Sequence, residues 1–319
     1  PWDGTGDLED LVEAGDLKRD YEFFGVNSIN DGFLMEYQTW ELSLGGSTGY
    51  RFITPVGRLG LSTGISTGLQ LNTYDESFYR PWQESLRESN RTPQIVNRWR
   101  WAANLDTRDI INTPSSGYFL GQNVTLTGGF LFGHRHYIRT ETSGEIYQTF
   151  FDIPLSDEWK LKMVGMARSR FSTILPQFWA PNGETLKVID QEDLLAVTGI
   201  TNARGWSSQT GLRAIWENSL ELRMPIAEQL LWFDMFGDAT FPYADLDKIG
   251  TTTLQDGLYG VGAGLRFALP QLPISLYMAR LFKINSNNDI EWQTGDIFNS
   301  ENEEGKGLRF VLTLSTSFF

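Results

Sequence analysis

The chain has 319 residues, no cysteine, two histidines and a formal net charge of −14. These counts exclude disulfide frameworks, thiolate zinc sites and cysteine nucleophiles, and leave little room for a His-built catalytic or metal centre. The acidic excess argues against a nucleic-acid surface, and no run of about eighteen apolar residues is available for a transmembrane helix. Pro1 rather than Met opens the sequence and no signal peptide follows, so the chain reads as processed or truncated.

Helical patterning is confined to 7–19 (Leu8, Leu11, Val12, Leu17), a stretch too short and too acidic to found a domain. From residue 40 onward the signal is period two. Trp40, Leu42, Leu44, Tyr50 and Phe52 share one parity, against Glu41, Ser43, Ser47 and Arg51. In 59–72, Leu59, Leu61, Ile65, Leu69 and Leu71 oppose a Gly/Ser/Gln/Asn face. Trp99, Trp101, Ala103 and Leu105 oppose Arg98, Arg100, Asn104 and Asp106. Such alternation marks strands with two different solvents on their faces. It predicts eleven strands, near 40–52, 58–72, 97–106, 118–132, 145–153, 159–171, 213–224, 230–239, 258–269, 272–282 and 307–318. Both faces are mixed in 145–153 and 272–282.

The connections alternate. Short turns follow 52, 106, 153, 224 and 269, whereas long polar loops occupy 73–96, 133–144, 172–212, 240–257 and 283–306. Tight turns at one end and long loops at the other describe a transmembrane antiparallel β-barrel of the outer membrane, with the long loops extracellular. A soluble sandwich or lipocalin-like barrel is the alternative. The Gly-, Ser-, Thr- and charge-rich second face suits a wet lumen. Trp40, Tyr50, Phe52, Trp99 and Trp159 sit near strand ends, as interfacial aromatic girdles do. An odd strand number conflicts with a complete bacterial barrel, so the pattern implies that an odd number of strands precedes Pro1. Residues 1–33 then form an acidic segment on the extracellular side, and 34–319 the C-terminal part of the barrel.

Asn202-Ala-Arg-Gly-Trp206 stands inside the longest loop. It is followed by Asn218-Ser-Leu-Glu-Leu-Arg-Met-Pro225, Trp232-Phe-Asp-Met-Phe-Gly-Asp238 and Gly262-Ala-Gly-Leu-Arg-Phe-Ala-Leu-Pro270, and preceded by Leu105-Asp-Thr-Arg-Asp109. This order of motifs resembles the barrel of the BamA family, the central subunit of the outer-membrane β-barrel assembly machine, and its relative TamA. The resemblance covers roughly 95–319. It implies a sixteen-strand barrel of which this chain carries the sixth to sixteenth strands, with the preceding strands and the periplasmic POTRA domains absent. It also implies that 172–212 is the sixth extracellular loop, folded back into the lumen.

Carried over by resemblance, Arg204, Gly205 and Trp206 form the loop-six motif, with Ala203 in place of the usual β-branched residue. Glu221 and Asp234 match the lumen carboxylates that pair with the arginine. Parity places Glu217, Ser219, Glu221 and Arg223 on one face, opposite Leu220, Leu222 and Met224. Asp106, Arg108 and Asp109 match a family motif at a periplasmic turn, where turn capping is the preferred reading. His134 and His136 read as solvated loop residues rather than a metal pair. The C-terminal strand with Phe310, Leu312, Leu314, Phe318 and Phe319 resembles the signal by which outer-membrane barrels are recognised, although Phe319 falls out of phase.

The function implied is insertion of outer-membrane barrels through a lateral seam. Outer-membrane lipids, nascent barrel proteins and accessory lipoproteins would be its partners. No catalytic constellation or cofactor motif is visible, and nucleic acid is not expected. The alternatives are a protein-translocating pore of the same superfamily, as in two-partner secretion, or a passive porin or adhesin barrel.

Overall fold

The computed structural model describes residues 38–74, 89–111, 113–154, 160–179, 189, 193–227, 230–267, 274–293 and 308–314. The acidic segment 1–33, Trp159, Phe318 and Phe319 lie outside them. In chain order the strands are β1 (Gln38–Thr54), β2 (Gly57–Thr73), β3 (Gln94–Asp106), β4 (Gly117–Thr127), β5 (Tyr137–Pro154) and β6 (Lys160–Pro176). There follow β7 (Leu195–Val197), β8 (Gln209–Leu212), β9 (Ala214–Ala227), β10 (Leu231–Tyr243), β11 (Leu258–Phe267), β12 (Ile274–Ile284), β13 (Ile290–Trp292) and β14 (Arg309–Leu314).

One antiparallel sheet runs β1-β2-β3-β4-β5-β6-β9-β10-β11-β12, and both β13 and β14 pair with β12. All eleven predicted strands are in it. Among the described residues the sheet does not close: β1 pairs with β2 alone and β14 with β12 alone. β7 and β8 form a separate hairpin within the long loop, while β6 and β9, on either side of that loop, pair directly.

Several boundaries differ from expectation: β6 runs on to Pro176 rather than 171 and β10 to Tyr243 rather than 239. β4 ends at Thr127 rather than 132, and the predicted loop 133–144 is largely strand, because β5 begins at Tyr137. Tyr137, Arg139 and Glu141 face one side and Ile138, Thr140 and Thr142 the other, so polarity on both faces hid the alternation. The connection after Asp106 is also longer than a tight turn and spans 107–116.

The two faces separate as the parity predicts. On β9, Glu217, Ser219, Glu221 and Arg223 are buried, whereas Leu220 is 66% exposed on the other face. The long loop lies against the polar face, which identifies it as the inside. The outside carries Leu42, Leu44, Leu61, Ile65, Trp101, Leu120, Ile146, Leu220 and Leu276, all exposed. A sheet with apolar side chains outward and charge inward matches a strand wall between lipid and a wet lumen.

Candidate functional site

The tip of the long loop is a knot of local hydrogen bonds. The backbone N–H of Thr198 donates to Asn202 Oδ1 (2.7 Å), that of Gly205 to the Gly199 carbonyl (2.8 Å), and that of Trp206 to the Ala203 carbonyl (3.0 Å). Ala203 and Gly205 both adopt left-handed φ values, 46° and 89°. At Gly205 an added Cβ would stand 3.1 Å from the Arg309 Cβ and 3.2 Å from the Ala279 Cβ, so the bare backbone lets the tip touch β12 and β14. Trp206 donates its indole N–H to the Tyr259 carbonyl (3.1 Å). It packs between two buried clusters, one around Val197, Leu212 and Leu258, the other around Phe236, Tyr277 and Leu281.

This knot presents Arg204 to the wall, 6% exposed. Its Nε and one terminal nitrogen donate to the two oxygens of Asp238, each at 2.7 Å. The same nitrogen reaches Ser219 Oγ at 3.0 Å, and the other terminal nitrogen lies 3.0 Å from Glu221 Oε1. The guanidinium also sits 3.7 Å over the Phe236 ring. Burial alone would lower the Arg204 pKa, but the Asp238 hydrogen bonds and the nearby carboxylates more than offset it and raise the value. A bidentate, charge-assisted contact of this kind gives the loop tip a defined register on the wall.

Glu221 is thus where the resemblance places it. Asp234 is not a partner of Arg204: its Oδ2 accepts from Arg266 Nε (2.6 Å) and from the Tyr277 hydroxyl (3.0 Å). Strand register supplies the reason. Asp238 stands opposite Ser219 and Phe236 opposite Glu221, whereas Asp234 stands opposite Arg223. Four residues along a strand amount to about 13 Å, beyond one guanidinium. Asp238 shares the parity of Asp234, so the pattern contained it without singling it out.

Glu221 joins the two halves of the site. Its Oε2 accepts from Arg223 Nε (2.9 Å) and Arg266 (2.8 Å). Glu221, Asp234 and Asp238 are therefore matched by Arg204, Arg223 and Arg266, so the buried charges balance. Every one of these carboxylates has a hydrogen-bonded cation, the condition under which buried charge is tolerated. A second clasp holds the base of the same loop, and sequence reasoning missed it. The Asp193 carboxylate accepts from Arg135 (3.1 Å) and the Tyr137 hydroxyl (2.9 Å), while its carbonyl accepts from Arg139 (2.7 Å).

Asp106, Arg108 and Asp109 perform turn chemistry. Arg108 Nε donates to Asp106 Oδ1 (3.0 Å) and another nitrogen reaches Glu145 (3.4 Å). Burial would lower the Arg108 pKa, but the Asp106 contact and the nearby carboxylates raise it. Asp109 accepts the backbone N–H groups of Ile110 and Ser115, both at 2.9 Å. Desolvation opposes ionisation there, yet the Ser115 contacts and backbone donors hold the carboxyl down to about 2.

The histidines are not simply solvated. His134 Nδ1 accepts the Ile95 N–H and His136 Nδ1 the Gly129 N–H, both at 2.9 Å. No group of His, Asp and Glu suited to a metal occurs among the described residues. On β14, Phe310 and Leu312 face outward and Val311 is buried inward, as the parity predicts.

Comparison with known proteins agrees with this architecture. The model of the Omp85 superfamily domain matches residues 20–318. A relative from Treponema pallidum (strain Nichols), described as a putative outer membrane protein assembly factor, is 28% identical over 279 residues. That match covers 80% of this chain and 33% of the relative, so the chain spans about a third of that protein's length. The structure of BamA from Haemophilus ducreyi lacking POTRA domains 1–3 superposes with a TM-score of 0.54 at 15% identity, covering 80% of this chain and 53% of that one. With an open antiparallel wall of barrel strands, a lumen-seated loop and a family match across nearly its whole length, the chain belongs to the Omp85 superfamily.

Proposed function

We propose that this chain is the barrel portion of the central insertase that folds and inserts β-barrel proteins into the outer membrane, with its long loops outside the cell. The observation that carries the reading is a wall pinned from the lumen side by the long loop. Around Arg204, three strands and the long loop are tied by buried charge-assisted contacts. An unpaired strand is unstable in lipid, because each unsatisfied backbone group costs several kcal/mol. A protein that lends a strand edge to an incoming strand lowers that barrier by strand addition. Such a device needs one edge that opens and a remainder that does not, and the Arg204 network supplies the stiffness of the remainder.

The task requires no bond chemistry, in keeping with the absence of a catalytic motif in the sequence. The Omp85 match and the assembly-factor relative support the reading. Nascent outer-membrane barrels are the proposed substrates, and accessory assembly lipoproteins the proposed helpers. Depletion of the full-length protein in its own cells tests it. Unrelated outer-membrane barrels should accumulate unfolded in the periplasm. Normal assembly of those barrels, with loss of one dedicated exported protein alone, would overturn the reading in favour of a translocation pore.

A further inference from the structure

Between β4 and β5 the backbone leaves the sheet after Thr127 and rejoins it at Gly133, which bridges to Val96 on β3. The five residues between lie off the sheet, against Asn97 and Trp99 on the outer face of β3. Three turning points of this excursion are glycines that take left-handed backbone freely, Gly128, Gly129 and Gly133 at φ of 61°, 62° and 114°, whereas Phe132, a bulky residue, is strained at 59°. An added Cβ at Gly128 would collide with the Arg135 carbonyl. The excursion is nonetheless tied down. Asn97, on the outer face of β3, donates its amide to the Leu131 carbonyl (2.8 Å), and its own carbonyl accepts the Gly128 N–H (2.9 Å). Both histidines of the chain contribute the acceptor bonds described above.

What this scaffold displays is aromatic. Phe130 lies edge-on to Trp99 on the outer face of β3 (6.1 Å), and Phe132 edge-on to Trp179, just beyond β6 (6.0 Å). Phe132 is 60% exposed and the adjoining Phe178 73%. This cluster continues the apolar outer surface formed by Ile65, Trp101 and Ile95 at the long-loop end of the strands. Counted from Asp106, about ten residues of tilted strand cross the apolar band, which brings the hydrocarbon boundary to the level of Ile95 and Asn97. Aromatic rings held at that height suit the boundary between acyl chains and headgroups.

We propose that residues 128–132, with Trp99, Phe178 and Trp179, form an aromatic shelf that embeds in the outer-leaflet interface. The shelf fixes the depth of this side of the barrel in the bilayer. The shelf belongs to the connection between β4 and β5 rather than to a strand, so its contact with lipid is additional to that of an ordinary strand girdle. The proposal rests on the membrane placement given above, and its test separates the two. The chain has no cysteine, so within it a single substitution places a nitroxide label at one site, with any cysteine elsewhere in the full-length protein replaced by serine. Full-length protein reconstituted in phosphatidylcholine vesicles would carry the label at Phe132→Cys, Leu220→Cys or Asn287→Cys. Collision with oxygen, which partitions into lipid, is compared with collision with a water-soluble nickel chelate. Leu220 is the lipid-face reference and Asn287, in an exposed turn, the aqueous one.

The expected result is a severalfold higher oxygen-to-nickel ratio at 132 than at 287. A ratio at 132 equal to that at 287, with 220 in lipid, overturns the shelf alone; a water-exposed 220 overturns the membrane placement itself. Exclusion of both reagents at 132 also overturns it, since protein rather than lipid would then cover the shelf. Phe130→Cys, at a position without left-handed backbone, replaces Phe132→Cys should that variant fail to fold, and is read in the same way.

Discussion

Arg204 on the loop and Asp238 on β10 share two parallel N–H···O contacts of 2.7 Å each, and Asp238 also accepts from Ser219 at 2.7 Å. The loop tip is therefore held by a planar fork on a carboxylate that the strand itself orients. Glu221 completes the contact from β9, so the loop bridges two adjacent strands.

This geometry ranks the acidic residues. Asp238→Asn leaves Arg204 buried beside a weaker acceptor, and removing one partner of such a pair costs about 3–5 kcal/mol. Limited proteolysis of the folded protein should then cut within 180–206 at protease levels that spare the parent. Asp234→Asn should leave the loop seated, because its loss falls on Arg266 and Tyr277. Equal protection in the two variants would reject the assignment.

The Asp193 clasp gives the loop a second attachment. Asp193→Ala removes the acceptor shared by Arg135 and Tyr137 and frees the base of the loop while the tip stays on Asp238. Each single variant, Asp193→Ala or Arg204→Ala, should therefore raise hydrogen exchange locally. The double variant should release the whole segment 193–206. Full release in either single variant would mean one clasp alone holds the loop.

Parity made the wall legible because the two solvents act on every residue of a strand. Glu221 and Leu220 could be assigned to opposite faces from sequence alone for that reason. The pairing of Arg204 was only half legible: parity puts Asp234 and Asp238 on the same face and is blind to height, which depends on register with Ser219. Asp193 was hidden for a different reason. A lone Asp in a loop has no periodicity, and its partners lie 54 to 58 positions earlier. The excursion at 128–132 is masked in the sequence because Phe130 and Phe132 continue the alternation of β4 past the point where the glycines turn the chain.

Ala203 tests the conformation of the tip. Its φ of 46° lies in the left-handed region, where a Cβ costs roughly 1–2 kcal/mol and branching at Cβ adds to the clash. Ala203→Val should loosen the tip, lowering the thermal midpoint and raising proteolysis within the loop. Ala203→Gly relieves the backbone and should hold the tip at least as well, less the small loss of buried methyl. A Val variant as resistant as the parent would show that the tip adopts another conformation in solution.

The turn at 107–116 carries the pH dependence that is easiest to read. Asp109 is held at about 2 in the folded chain, below the ordinary value of 3.8. A depressed carboxylate contributes stability that is fully present above its unfolded value and is lost as pH falls through the folded one. The contribution of Asp109 should therefore be constant above pH 4 and fade between 4 and 2. Because the residue is exposed, the effect is local: amide exchange at Ile110, Ser115 and Ser116, whose N–H groups it accepts, should rise in that window beyond the intrinsic trend. Asp109→Asn should show the faster exchange at pH 7 and little further change on acidification. Protection at Ser115 that is the same in Asp109→Asn and the parent at pH 7 would mean the turn is held by its other contacts.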